Sequence, residues 1–507
     1  MVTRIRKGTP TTAPEGLGAL KSVAGALGLE GERMSKVDTA WLRMDSSTNL
    51  MMIVGVWILR PGITREALAQ RVQDKLLAYR RFRQTARQDA AGAHWRDDPD
   101  FSLDRHVVTH TLPRRRGQSA RAALQARAGE LAMVPLDPAH PLWQFELIEH
   151  YEGGSALIAR IHHCIADGIA LISVMMSLVD GGTEPPARKS RAQKQGLEAA
   201  EDWVADTLIR PFGDIAARAL DAAGGGAARS LSMLSAPQQS LGETLDQAVE
   251  VARLGGQLAS DLAALALMPD DSPTRLKGAP KGEKRVAWCE PLPLAEVKAI
   301  GKALNCSVND VLLSCVAGAI AGYLRRHGDD PAGQEIRAMV PINLRPMEEA
   351  WKLGNRFGLI PLVLPVGVAN PIERVYAVRS RMNALKGSLQ PLLTFGLLSV
   401  AGLLIKPAQD AMLSLFGRKT TAVMTNVPGP GEKLKFCGAT LEQTMFWVPQ
   451  TGTVGLGVSI LSYGGGVQFG VIADSALCPD PQQIIDAFEP EFAQLLAVTL
   501  MLPWGDV

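Results

Sequence analysis

Apolar residues along this chain follow two periods in turn. LMMIVGVWIL (50–59) is a nearly unbroken apolar run rich in β-branched and large side chains, which predicts a buried strand. TREALAQRVQDKLLAYRRF (64–82) spaces its apolar residues at the helical period and opens on Thr64, a favourable cap. LWQFELIEHY (142–151) alternates and ends near the glycine pair 153–154, so SALIARI (155–161) reads as its hairpin partner. IALISVMMSLV (169–179) has the length and pattern of a helix. This alternation predicts an α/β lobe over residues 34–180, preceded by a flexible lead-in (1–33) with a short helix near Leu20.

The pattern changes at residue 181. GGTEPPARKSRAQKQG is polar and broken by proline and glycine, as a linker is. Two helical stretches follow, 202–223 and 241–267, and MPDDSPTRLKGAPKGEKR (268–285) is a second linker, so 181–285 reads as a helical connector. The α/β rhythm resumes over 286–507. LPLAEVKAIGKAL and CSVNDVLLSCVAGAIAGYLRRHG (306–328) are helices, the second capped by Ser307 with Asp310 three residues on. EIRAMVPINL (335–344) and FGLIPLVLPVG (357–367) are strands, 454–474 is a hairpin around a glycine triplet, and 481–500 is a closing helix.

Bulk properties narrow the picture. At 507 residues the chain exceeds what one core fills, which agrees with two lobes. The formal net charge of +2 and the lack of a basic stripe give no sign of a nucleic-acid partner. The six cysteines show neither a CxxC pair nor zinc-ligand spacing, and fit a reducing compartment as small buried hydrophobes. The basic N-terminus is not followed by the apolar stretch of a signal peptide. No apolar run reaches the roughly 18–20 residues that span a bilayer.

The segment IARIHHCIADGIALI (158–172) stands apart, with two imidazoles and a carboxylate between apolar runs. Two core histidines with local hydrogen bonds would account for it. A metal site fits less well, because neighbours on a strand point to opposite faces and no third ligand of matching type lies near. A third reading is a general base: the strand end opens on a cleft, one imidazole faces it, and a neutral histidine near pKa 6.5 takes a proton from a hydroxyl. Asp167 would then fix the loop holding His163, and Gly168 would permit a tight backbone passage into the next helix.

HHCIADG resembles the HHxxxDG signature of acyltransferases built like chloramphenicol acetyltransferase. Further segments resemble, in order, the motifs of the bacterial wax ester synthase/diacylglycerol acyltransferase family: VDTAWL (37–42), DPAHPLW (137–143), SPTRLKG with KRVAW (272–288), SVNDVLL (307–313), GNRFG (354–358), MTNVPGP (424–430) and SILSYGGGVQFGVIAD (459–474). The departures are small: Lys277 stands where the family often has Asn, and PINLR (341–345) where PVSLR is commoner.

The resemblance implies two chloramphenicol-acetyltransferase-like lobes with a channel between them. It implies a long-chain acyl-CoA as co-substrate, a long-chain alcohol or diacylglycerol as acceptor, and no metal or other cofactor. His163 would be the general base, His162 a structural neighbour, and Asp167 the partner of an arginine, for which Arg345 is the candidate. Asn309, in the first turn of its helix where N–H groups and the dipole favour an anion, would stabilise the oxyanion; Asn309 and Asp310 as plain helix caps is the competing reading. Pro141, Leu142, Trp143, Gly354, Asn355, Leu359, Thr425 and Asn426 are expected around the substrate channel, though PLW and TNVPGP also read as architecture.

An insoluble acceptor implies work at a membrane or lipid-droplet surface from the cytoplasmic side. DTLIRPFGDIAARALDAA and LTFGLLSVAGLLIKPAQDAMLSLFGRK (393–419) have the composition of interfacial helices, and equally of helices packed on the lobes. Two other functions stay open at this point: an acyltransferase with a carrier-bound donor, and a lipid-binding relative without activity. Acceptor preference, acyl length and oligomeric state are not legible.

Overall fold

The strand predicted from LMMIVGVWIL forms over Met52–Arg60 and lies inside a six-stranded sheet, which is why both its faces are apolar. In this computed structural model, which describes residues 31–89, 92–182, 267–345, 352–385, 390–404 and 406–502, Gly154–His162 pairs antiparallel with that strand on one side and with Trp143–Tyr151 on the other. The expected hairpin is thus present, and it delivers His162 and His163 to a strand end. The helix expected over 64–82 is shorter. Capped by Thr64, it runs Arg65–Asp74 and gives way to two 3₁₀ turns.

The second sheet has seven strands. Phe357–Leu364, Ile336–Asn343, Ala422–Pro428, Leu456–Tyr463, Gly466–Asp474 and Lys284–Trp288 lie side by side, and Leu292–Pro293 also pairs with Gly466–Asp474. The helix Val308–Arg326 carries the full capping box of Ser307 and Asp310 and packs beneath it with Gln482–Leu500, Leu294–Ala303 and Pro371–Leu385. This helix is long and apolar enough to cross a membrane by length and composition, against the reading that no run is, but most of it is buried in the lobe. It is a core helix.

The lobes interlock in a way the linear division at residue 286 does not anticipate. Ala439–Trp447, deep in the C-terminal half, leaves the second lobe and adds to the first sheet beside Met52–Arg60. Trp447 and Trp288 then meet at 5.8 Å between ring centroids in a core shared by the two sheets. The connector helices 202–223 and 241–267, except for the last residue, and the helix near Leu20 lie outside the described residues.

Candidate active site

His163 directly follows the strand Gly154–His162. Its N–H donates to the Met51 carbonyl at 2.7 Å, and its own carbonyl accepts from Asn355 Nδ2 at 2.7 Å. The imidazole stacks on Trp41, with centroids 4.1 Å apart and planes 14° from parallel, and Phe357 lies 5.6 Å away. The ring is buried, yet it forms part of the wall of a cavity of about 290 Å³ whose lining is mainly apolar. Burial pushes its pKa down to about 4, and its own carbonyl and the Asn355 side chain oppose this. The ring is therefore neutral at physiological pH. Nδ1 is buried with no hydrogen-bond partner, which leaves Nε2 as the nitrogen facing the cavity.

His162 faces the other way. Its Nδ1 accepts from the Cys164 N–H at 3.1 Å, a role for a deprotonated nitrogen, and its Nε2 lies 3.3 Å from both Asp45 carboxylate oxygens. It holds the loop and does not line the cavity.

Asp167 caps the helix Gly168–Leu178 by accepting from Ala170 N. Its second oxygen accepts from Arg345 Nη2 and from Arg356 N, each at 2.9 Å. Arg345, equally buried, also donates to the carbonyls of Gly354 and Lys352. The carboxylate thus ties the two lobes together beside His163, with Arg345 as its arginine partner, and makes no hydrogen bond to that histidine.

Other expected residues are placed differently. Gly354, at φ 101°, exchanges backbone hydrogen bonds with Ile165 and Asp167, so it clamps the histidine loop and leaves the cavity wall to others. Asn355 sits behind His163, away from the cavity. Gly168 has no left-handed φ, and a Cβ there would meet nothing within 4 Å; the tight passage expected of it is not needed. It lines instead both the main cavity and a second apolar one of about 120 Å³ bounded by Ile161, Met175 and Met176, and Phe446 also borders both. Leu142 and Trp143 lie in the core of the first lobe, with Trp143 stacked on His106, and neither they nor Pro141 reach the cavity. Leu142 does accept from the His162 N–H, a support of the strand end. Leu359, Thr425 and Asn426 do line the cavity.

Asn309 does not line it. Exposed in its helix's first turn, it accepts through Oδ1 from Asn426 Nδ2, so Asn426 stands between it and the cavity. Asp310 completes the cap through Ser307. Lys277 fastens the carbonyls of Gly417 and Thr420, two residues of the cavity rim, which is what this position contributes with its long cation. Among the described residues no cluster of three or more His, Cys, Asp or Glu side chains is disposed to hold a metal ion.

Three residues of the site carried no assigned role in the sequence: Asp38, Trp41 and Phe357. Asp38 and Trp41 come from one short helix, Lys36–Arg43, where a spacing of three puts them on one face. Phe357 belongs to GNRFG, whose last glycine, Gly358, lets the helix Gln390–Ala401 cross the strand so closely that a Cβ would lie 1.9 Å from the Pro391 carbonyl. The signal for the first pair was VDTAWL itself, a buried acid three residues before an aromatic.

The wax ester synthase/diacylglycerol acyltransferase catalytic domain matches residues 34–312, and the C-terminal domain of the same family matches 353–496. The chain is 27% identical over 477 residues to the probable diacylglycerol O-acyltransferase tgs1 of Mycobacterium tuberculosis, covering 92% of this chain and 96% of that one. A putative diacylglycerol O-acyltransferase of the same organism is 26% identical over 506 residues, covering 92% and 97%. Among solved structures, the wax ester synthase/diacylglycerol acyltransferase of Marinobacter aquaeolei aligns with a TM-score of 0.61 at 19% identity, over 93% of this chain and all of that one. The first condensation domain of the calcium-dependent antibiotic synthetase aligns at 0.56 and 13% identity over 93% and 96%, so the two-lobed fold is shared with condensation domains. The chain belongs to the wax ester synthase/diacylglycerol acyltransferase family and is an acyltransferase.

Proposed function

Starting from that membership, we propose that the protein transfers a long acyl chain from acyl-CoA to the hydroxyl of a fatty alcohol or diacylglycerol, with His163 as general base. The observation that carries this is a buried, neutral imidazole on the wall of an apolar cavity. Nε2 takes the acceptor's hydroxyl proton as the oxygen bonds to the thioester carbonyl carbon. The tetrahedral intermediate collapses with cleavage of the C–S bond, and the imidazolium returns the proton to the CoA thiolate. Ester and free CoA leave; no acyl-enzyme, metal or resident cofactor enters the scheme.

Asn426, held by Asn309, is the amide on the cavity wall suited to donate to the oxyanion, so Asn309 acts through it. Loss of such a donor costs roughly 3–4 kcal/mol. Unchanged turnover in both Asn309→Ala and Asn426→Ala would remove this part. The two cavities meeting at Gly168 and Phe446 suit two hydrocarbon chains that converge on one base.

A surface role is supported by the helix Gln390–Ala401, which turns Leu397 and Leu398 into the cavity and exposes Leu392, with exposed Leu403 just beyond. In this reading the protein rests on the cytoplasmic side of a membrane or on a lipid droplet, and vesicle flotation tests it.

The deciding experiment gives purified protein labelled palmitoyl-CoA with hexadecanol or dioleoylglycerol, beside His163→Ala. Ester from the wild type and none from the variant supports both reaction and base. No ester with either acceptor, from folded protein on vesicles, overturns the proposal.

A further inference from the structure

Two polar atoms near the centre of the site lack partners, and they belong to neighbouring side chains: His163 Nδ1 and Asn355 Oδ1, both buried. A buried amide oxygen and a buried ring nitrogen each lose free energy when left unpaired, so their joint appearance points to one interaction.

The orientation of the Asn355 amide is fixed by its other end. Nδ2 donates to Asp38 Oδ1 at 2.8 Å and to the His163 carbonyl at 2.7 Å, while the Asn355 backbone N–H donates to the same Asp38 oxygen at 3.0 Å. A backbone carbonyl only accepts, so an amide turned end for end would set oxygen against oxygen. Oδ1 is thereby held as an acceptor beside the imidazole, and the His163 pKa is raised by this same side chain against the larger effect of burial. The other group near the ring, its own carbonyl, is also an acceptor. Both favour a proton on Nδ1.

Asp38 is built to hold this amide. It is wholly buried, Ser35 caps its N–H, and burial lifts its carboxyl to about 6 while Asn355, Arg81 and Ser35 pull the other way. From the same helix Trp41 covers the face of the imidazole, so one helical turn fixes both the hydrogen-bond frame and the ring plane.

We infer that Asn355, held by Asp38, is the positioning residue that keeps His163 in the Nδ1–H tautomer, with the Nε2 lone pair presented to the acceptor hydroxyl. Asn355 touches no substrate. A base in the wrong tautomer presents an N–H where a lone pair is needed, and in other enzymes that change alone lowers kcat by about 10⁴-fold. The inference rests on His163 being the base, and its test reads the tautomer separately from activity.

The experiment uses full-length protein labelled with ¹⁵N-histidine. Long-range ¹H–¹⁵N spectra distinguish the two neutral tautomers, and comparison with His163→Gln assigns the signal. The wild type should show Nδ1–H. In Asn355→Ala the signal should move toward Nε2–H, with kcat down roughly 10²–10⁴-fold and KM for palmitoyl-CoA within about twofold. Asp38→Asn keeps an oxygen for both Asn355 donors and should keep the Nδ1–H signal; Asp38→Leu should lose it. Since Asp38→Leu removes a buried polar partner and risks misfolding, Asn355→Ala and Asp38→Asn carry the test, each checked for an unchanged circular dichroism spectrum. An Nε2–H wild type, or an unmoved tautomer in folded Asn355→Ala, overturns the inference even if His163 is essential. Full activity in His163→Gln with an Nδ1–H wild type would instead remove the base assignment and leave the positioning contact standing.

Discussion

Arg345 and Asp167 form a buried ion pair, 2.9 Å from Nη2 to Oδ2, that joins the loop of the two histidines to the second lobe. Asp167 also borders the cavity, but the pair's other hydrogen bonds from these side chains go to backbone: the carboxylate caps a helix and receives Arg356 N, and the guanidinium bonds to two carbonyls of the loop before Asn355. The acid of the HHxxxDG motif thus fixes the backbone around His163 and makes no hydrogen bond to that ring.

Arg345→Ala strips a buried carboxylate of its counter-ion, which costs about 3–5 kcal/mol when the partner stays. Chemical denaturation should show that loss, and kcat should fall in whatever fraction remains folded. Arg345→Lys should recover only part, because a single ammonium cannot reach Asp167 and both carbonyls. Full stability and activity in Arg345→Ala would refute the role.

The base should titrate low. With His163 depressed to about 4, its protonation removes the lone pair only as pH falls through that value. The acid limb of kcat/KM should therefore lie well below the pKa of about 6.5 of a solvated histidine. A limb near 6.5 would place the base elsewhere or in water.

The same depression has a signature in stability. Between 6.5 and about 4 the unfolded chain binds a proton at His163 that the folded chain does not, so this residue's contribution falls as pH drops across that window. The full difference is roughly 3 kcal/mol. Asp38 acts oppositely: with its carboxyl lifted to about 6, the folded state keeps a proton longer, and its contribution falls as pH rises from 3.8 to about 6. Denaturation of His163→Gln against wild type at pH 7 and pH 5 isolates the first effect. The variant should gain relative stability at pH 5.

Met175 lines the second cavity on the helix Gly168–Leu178, well along from the base. Met175→Trp should shorten the chain that cavity accepts. Each excluded methylene forgoes about 0.8 kcal/mol, roughly fourfold in specificity. Profiles with octanoyl- against palmitoyl-CoA at fixed alcohol, and octanol against hexadecanol at fixed acyl-CoA, would show which substrate's chain enters. No shift in either profile would empty the cavity of a role.

Much of this was legible where the information is local. The hairpin, the Ser307 capping box, the strand end with two histidines and the helix after Gly168 all depend on residues within a few positions, and they form as read. The sides of His162 and His163 followed from strand alternation alone. What was not legible depends on contacts across the chain. Asp38 meets Asn355 at a separation of 317 residues, and no periodicity encodes that. Asn355 and Gly354 were expected around the channel only through the resemblance; folding places them behind His163, off the cavity wall. Leu142 and Trp143 take the architectural reading of PLW: they lie in the core of the first lobe, where an apolar motif near a site most often belongs.

The strand Ala439–Trp447 also determines when this enzyme can come into being. Until residue 447 has been made, Met52–Arg60 is an unpaired, apolar sheet edge, the kind that recruits foreign strands. At about 5–20 residues per second, the ribosome leaves that edge open for tens of seconds. Synthesis therefore exposes the first lobe to aggregation for most of its course, and a protein cut at the apparent lobe boundary would keep the exposure permanently. Neither half is a portable module: the sheet whose end carries His163 is finished by the last quarter of the chain.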